Sequence, residues 1–307
     1  MLTQVRRFDR YQQRHRVLAV ALAVVKKASE DGAGSSAALI AYYGFLALFP
    51  LLLAAVAILG FVAQSDASAR KTIVGSGLGN IPIVGDWLAR GSGHIAGSGL
   101  GLAIGLLAAL WAGLGVTLAL QRAFNQANLV RYQQRANFLV ARLRGARLLL
   151  VVGLLELVAT SLTGVLSAGV AGAVLVVLGF VVTLLFNAAL FAIAFRVLTD
   201  ERVPTRELWP GVAFATAGWV LLQALGSLYV RHLAHSATYG SFAGVIGLLV
   251  WLILGARIVV YAAELNVVLA RGYWPRSLLA EETEADHRVR LALSEVEDPI
   301  ESVDAPS

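Results

Sequence analysis

The sequence predicts an all-α polytopic membrane protein with six transmembrane helices and both termini cytoplasmic. Three observations predict it. The chain is 58% hydrophobic and only 14% charged, against about 25% charged in soluble domains, and its mean hydropathy is +0.74. Six separated apolar runs are each long enough to cross a bilayer, and Arg and Lys crowd into alternate connections between them. The runs are continuous, so they lack the in-out alternation of an outer-membrane barrel.

The runs cover residues 36–63, 98–120, 148–170, 173–198, 209–230 and 240–270. Each meets the roughly 20 mostly apolar residues that a helix needs to cross a hydrocarbon core of about 30 Å. They divide the chain into a cytoplasmic basic segment with an interfacial helix (1–35), a six-helix membrane domain (36–270) and a largely disordered, acidic cytoplasmic tail (271–307).

Orientation follows from basic residues near the helix ends, which cytoplasmic loops retain. The N-terminal segment carries Arg6, Arg7, Arg10, Arg14, Arg16, Lys26 and Lys27; the second connection carries Arg122, Arg131, Arg135, Arg142, Arg144 and Arg147. Arg196, Arg202 and Arg206 in the fourth connection, and Arg271 and Arg276 after the last run, fall on the same side. The first connection holds Arg70, Lys71 and Arg90, the third holds no basic residue, and the fifth holds only Arg231. This pattern places both termini of a multi-pass protein on the cytoplasmic side. The net charge of +6 is then a consequence of topology and of attraction to anionic lipid, not a nucleic-acid footprint.

Before the first run, residues 17–25 form an apolar stretch behind Arg14 and Arg16. Lys26 and Lys27, then Ser29, Glu30 and Asp31, stand where a signal peptide would offer small residues for cleavage. An uncleaved helix lying in the cytoplasmic interface is expected instead, too short to span and flanked by basic residues that reach headgroups. The first external connection, 64–97, is Gly-rich with an apolar centre at Ile81, Pro82, Ile83, Val84 and Trp87, and is expected to hold short interfacial helices. Gly97, Gly99, Gly101 and Gly105 allow close helix contact; no Lys or Ser/Thr beside them completes a phosphate-binding loop. The tail from Glu281 has little apolar content, which predicts mobility, with room for a short helix at 289–296. Cysteine is absent, which excludes disulfides, thiol nucleophiles and Cys-ligated metals.

The first run reads Ala37-Ala38-Leu39-Ile40-Ala41-Tyr42-Tyr43-Gly44-Phe45-Leu46-Ala47-Leu48-Phe49-Pro50. The last begins Tyr239-Gly240-Ser241 and continues through Trp251 to Ala263-Glu264-Leu265-Asn266. With Trp111, Asn125, Val203-Pro204 and Pro210-Gly211, these motifs resemble the YihY/BrkB family in order and over about residues 26–274, and their spacing is similar to its YhjD-type members. The resemblance implies a six-helix bacterial inner-membrane protein. Members of the family have carried labels of ribonuclease, serum-resistance factor and lipid or solute transporter. A metal-dependent nuclease needs clustered His and acidic ligands, whereas His15, His94, His232, His235 and His287 are dispersed. Neither an enzyme nor a cofactor is expected.

Polar groups inside the runs are the better candidates, because a charge at mid-membrane costs about 2.5–3.5 kcal/mol on insertion scales. Glu156, Arg257 and Glu264 stand out. Arg257 and Glu264, seven residues apart, share one helical stripe and could face one interior groove. At a rise of about 1.5 Å per residue, Glu156 lies about 13 Å and Arg257 about 20 Å from the cytoplasmic side, so the two can pair. The bland reading is a structural ion pair, with Glu264 reaching headgroups. The functional one makes Arg257 a recognition group for an anionic lipid headgroup or solute carboxylate, with Glu264 or Glu156 as a proton-coupled switch. Glu264 matches the family pattern; Arg257 stands where an apolar residue is usual. Tyr42 and Asn266 could line a polar pathway with Asn125, Asn187 and Gln223, or simply make interhelical hydrogen bonds. Pro50 removes a donor inside the first run and kinks it. The sequence therefore points to a transporter or lipid translocase, with a non-transporting envelope scaffold as the alternative and membrane lipids as partners.

Overall fold

The computed structural model describes the backbone of residues 2–65, 99–167, 173–232, 240–278 and 283–297, and the side chains of 6–54, 103–155, 177–226, 228, 245–278, 283–294 and 296. The expected helices of the first external connection, and the end of the tail at 298–307, lie outside the described residues.

Among the described residues the regular structure is helical, without strands. In order come α1 (Leu2–Arg14), α2 (Arg16–Glu30), α3 (Ala33–Ser65), α4 (Gly99–Ala127), a 3₁₀ turn (Tyr132–Gln134), α5 (Phe138–Ser167), α6 (Ala173–Leu198), α7 (Thr205–His232), α8 (Gly240–Ala270) and α9 (Glu284–Glu297). Five of them contain stretches long and apolar enough to cross a membrane: Ala33–Ala54, Ala103–Ala127, Val177–Leu198, Thr205–Gly226 and Val245–Ala270. The remaining expected run, 148–170, falls largely in α5, whose side chains are described only to residue 155. α2, with 15 residues, extends about 22 Å and is too short to span. Within the tail expected to be mobile, Glu284–Glu297 is helical and buries Ala285, Asp286 and Val289.

Two glycines stop helices. Gly32 (φ +65°) follows α2 and Gly272 (φ +63°) follows α8; both take the left-handed conformation that ends a helix at little cost only for glycine. After Gly272, the Tyr273 N–H returns to the Val268 carbonyl at 3.0 Å, the closing bond of a Schellman motif.

The chain divides into two compact units, Met1–Ala41 with Thr117–Ser307, and Tyr42–Val116. In the larger, the ends of α4, α5 and α6 join α7 and α8 around Phe124, Leu148, Phe195, Leu198, Val212, Ala215 and Ala262. Apolar burial drives little helix association in lipid, so close approach through small residues matters more there. α7 and α8 meet in this way: a Cβ on Gly211 would lie 2.3 Å from the Ala262 carbonyl, and one on Gly218 would lie 2.8 Å from Ile258 Cγ2. Trp219 and Trp251 meet beside this seam with centroids 5.2 Å apart and ring planes tilted at 58°. A second cluster packs α2 and α9 on the end of α8 through Ala23, Val24, Val267, Val268, Tyr273 and Val289.

In the smaller unit α3 and α4 also approach through glycine. A Cβ on Gly105 would stand 3.1 Å from Ala54 Cα, and one on Gly115 would strike the Tyr43 ring at 2.7 Å. Tyr42 packs edge-on against Tyr43, with ring centroids 5.5 Å apart. Pro50 is half-buried within α3.

Candidate functional site

The inner face of α2 is built from small residues, Ala19, Ala23, Val24 and Ala28, all buried, so the helix lies close on α8. One turn beyond Ala23, that closeness carries Lys27 beneath the span. Its Nζ donates to Glu264 Oε2 at 2.7 Å, to Asp31 Oδ2 at 2.6 Å and to the Ala127 carbonyl at 2.7 Å. An ammonium has three donors, and all are used. Side-chain exposure is 0% for Lys27, 3% for Asp31 and 1% for Glu264. Ala127 is the last residue of α4; its carbonyl lacks a helical partner, and a cation there also complements the helix dipole. The cluster therefore sets one cation against two carboxylates in a dry setting, an arrangement with one negative charge in excess when both acids are ionised.

Glu264 is thus buried and paired with Lys27, unlike in the bland reading, where it reaches headgroups; the other reading faces it to an interior groove. Arg257 does not join it, for its side chain is exposed. The shared stripe is real but unevenly covered: Ile246, Val250, Leu254 and Arg257 are exposed along it, while Glu264 and Val268 are buried. α2 is short and packs only near the final turns of α8, which separates the two charges' surroundings. Glu156 lies on α5 with its side chain outside the described residues, so the expected Glu156 to Arg257 pairing falls outside them too.

Asn266 is buried, and its Oδ1 accepts the Gly211 N–H at 2.6 Å. The proline before that amide interrupts the α7 hydrogen-bond ladder, since Pro210 has no N–H of its own. Asn266 therefore clamps α7 to α8 beside the proline and supports the wall next to the cluster. Tyr42 is exposed and Gln223 is exposed, whereas Asn187 is buried and donates to the Thr183 carbonyl at 2.8 Å.

Two further polar nodes hold the connections around this core. Asn125 Nδ2 donates to Asp200 Oδ2 at 2.6 Å, and Asn125 Oδ1 accepts the Asp200 N–H at 2.9 Å; Arg144 also bonds the Asp200 carboxylate. Lys26, next to Lys27, points to the tail instead and lies 2.7 Å from Asp286 Oδ1. Arg276 binds the same oxygen through Nε at 2.8 Å and grips Glu30 with its other two nitrogens at 2.7 and 2.9 Å. Burial opposes ionisation of Asp286, but hydrogen bonds from Lys26, Ser277 and Thr283 outweigh it and hold the carboxyl well below the usual range. Burial likewise opposes the Arg276 charge, and the bonds from Glu30 and Asp286 reverse the balance, raising its affinity for the proton.

Lys27, Asp31, Asp200 and Asp286 are site residues that the sequence reading missed. Lys27 and Asp31 stand four apart on one helix, the spacing of a helical ion pair. That spacing, directly after an apolar stretch, was the available signal. Asp200 and Asp286 carried none, because their partners are distant in the chain.

A family profile described as Virulence factor BrkB matches residues 24–287. The curated protein named "Putative ribonuclease-like protein YfkH", from Bacillus subtilis (strain 168), is 27% identical over 248 residues, covering 76% of this chain and 89% of the relative. No solved structure matches the chain. The matched span begins within α2 and runs into α9, taking in Lys27, Asp31, Glu264, Asn266 and Asp286 together with the five stretches, among the described residues, that are able to cross a membrane. The chain is a membrane protein and belongs to the Virulence factor BrkB family.

Proposed function

We propose that the chain is a transporter or lipid translocase of the bacterial plasma membrane, with six spans and both termini cytoplasmic. In this reading the 30-residue α5 supplies the sixth span, and the Lys27, Asp31 and Glu264 cluster at the end of α8 is the polar site. The observation that carries the proposal is the excess of carboxylate over cation in that buried cluster. A buried charge without its partner is costly, and movement of α2 off α8 uncovers Glu264, so seating and unseating of α2 would exchange the Glu264 carboxylate between Lys27 and an outside cation. Such an exchange is the element that ion-coupled movement of a substrate requires. Arg257, two turns along the same stripe and about 10 Å away along the helix, serves as the recognition group for an anionic headgroup or carboxylate, and the Pro50 break lets α3 flex.

A non-transporting envelope scaffold is the second reading. It is favoured by the saturation of Lys27, which spends every donor on fixed partners. The ribonuclease-like name of the Bacillus subtilis relative is not carried into either reading, because the dispersed histidines offer no clustered ligand set.

Reconstitution into liposomes tests the proposal, comparing movement of fluorescent anionic and zwitterionic lipids by the native protein, Glu264→Gln, Arg257→Leu and protein-free vesicles. Movement by the native protein, reduced in both variants, is the expected result. Equal traces in all four overturn lipid translocation and leave a scaffold or a soluble-solute carrier.

A further inference from the structure

We propose that the outer face of the α1–α2 hairpin is a docking surface for anionic lipid headgroups. The inference is independent of transport. α1 inverts the usual use of helix faces. The inner side of α1 is polar: Gln12 is fully buried and donates to the Arg276 carbonyl at 2.8 Å. Beside it, the Asp9 carboxylate accepts from Gln12, Gln13, Ser277 and the Leu278 N–H at 2.9–3.1 Å. The apolar residues of α1 whose side chains are described, Phe8 and Tyr11, face outward instead, 51% and 55% exposed.

α2 is apolar on both sides. Its inner face packs against Val267 and Val268, while Leu18, Ala21 and Val25 recur on the outer face at helical spacing and are exposed, with Val17 beside them. Helices in water seldom leave both aliphatic and aromatic side chains outward when the opposite side is fully occupied; a helix at a membrane interface does.

Three observations select lipid as the occupant. The inner face of α2 contacts the last turn of a membrane-crossing stretch, Val245–Ala270, which sets the hairpin at the height where that stretch ends. Trp274, an interfacial residue type, lies just beyond, and the Arg16 guanidinium stands 5.4 Å from its ring centroid. Finally, Arg6, Arg7, Arg10, Arg14 and Arg16 are all exposed, and the acid among them, Asp9, is turned inward and saturated. Two copies meeting through this face would bring arginine against arginine, so a second copy is disfavoured, whereas an anionic headgroup layer complements it.

The chain contains no cysteine, so single reporter sites can be introduced cleanly. Leu18→Cys, Val25→Cys and Glu284→Cys, the last on the exposed side of α9, carry an environment-sensitive fluorophore in full-length protein. Each is placed in nanodiscs of brominated phosphatidylcholine, alone or mixed with phosphatidylglycerol. Strong quenching at 18 and 25, none at 284, and loss of the phosphatidylglycerol-dependent part in an Arg6→Gln, Arg10→Gln, Arg14→Gln background are expected. Quenching at 18 and 25 no greater than at 284 overturns the surface. Equal quenching in both lipids overturns the anionic preference, and energy transfer between labelled copies in place of quenching assigns the face to a second copy. Thermal melts of each labelled variant establish that its fold is retained.

Discussion

Lys27 Nζ lies 2.7 Å from Glu264 Oε2 across 237 positions of the chain, while its neighbour Lys26 lies 2.7 Å from Asp286 across 260. One helical turn thereby ties the end of a span to the C-terminal tail. The two lysines differ in setting: Lys27 is fully enclosed, and the Lys26 side chain is 31% exposed. Their removal should therefore have unequal consequences.

Lys27→Met leaves Asp31 and Glu264 without their cation. Breaking a buried pair from one side costs about 3–5 kcal/mol, so the variant should melt far below the native protein in detergent. Lys27→Met combined with Glu264→Gln should recover part of the loss, since one uncompensated charge is gone. A single variant that melts like the native protein would show the cluster to be energetically idle.

Gly211 sits where α7 and α8 nearly touch. In Gly211→Ala the new methyl meets the Ala262 carbonyl at 2.3 Å and Asn266 Nδ2 at 2.5 Å, and overpacking of this kind costs about 1–3 kcal/mol. Asn266→Ala forfeits one buried hydrogen bond, worth about 1 kcal/mol. Because it also removes half of the steric conflict, the double variant should be less damaged than the sum of the two. Chemical unfolding of the four proteins in one detergent measures the coupling, and strict additivity would contradict the contact.

The helices and the stretches able to cross a membrane were legible because length and hydropathy are local properties. Glu264 and Asn266 were legible as polar residues in an apolar run, and Pro210-Gly211 only as a piece of the family pattern. Their partners were not. Lys27 reads as one more basic residue before a span, and only the packing of the alanine face of α2 on α8 turns it inward. The tail illustrates the converse: residues 284–297 are poor in apolar side chains, yet α9 is held by Val289 and by the Asp286 node, whose partners at 26, 276 and 277 belong to other parts of the chain. Arg257 and Glu264 show the limit of periodicity, which gives the stripe but not the length of the helix that covers it.

The tail node should resist acid. The Asp286 carboxyl is held below its usual value of about 3.9, so its contribution is present in full above that value. It is lost only as the pH falls through the lower value of the folded state. Protease access to α9 should therefore be flat between about pH 5 and pH 8 as far as this group decides it. Asp286→Asn should raise access throughout, since hydrogen bonds to charged groups contribute about 1.5–3 kcal/mol. A native profile that opens between pH 6 and pH 5 would assign control of docking to another group.

Arg257 separates recognition from stability. Its side chain is exposed on α8, apart from the Lys27 cluster, so Arg257→Leu should insert normally and be no less stable than the native protein, since a charge at mid-membrane itself costs about 2.5–3.5 kcal/mol. Movement of an anionic lipid should nevertheless fall, while any movement of a zwitterionic one persists. Arg257→Lys keeps the charge but loses the planar fork, so an intermediate rate would mark bidentate contact with the headgroup, and a native rate would mark a requirement for charge alone. Unchanged anionic movement in Arg257→Leu removes the residue from the mechanism, and it would leave the Glu264 cluster as the group to which coupling must be traced.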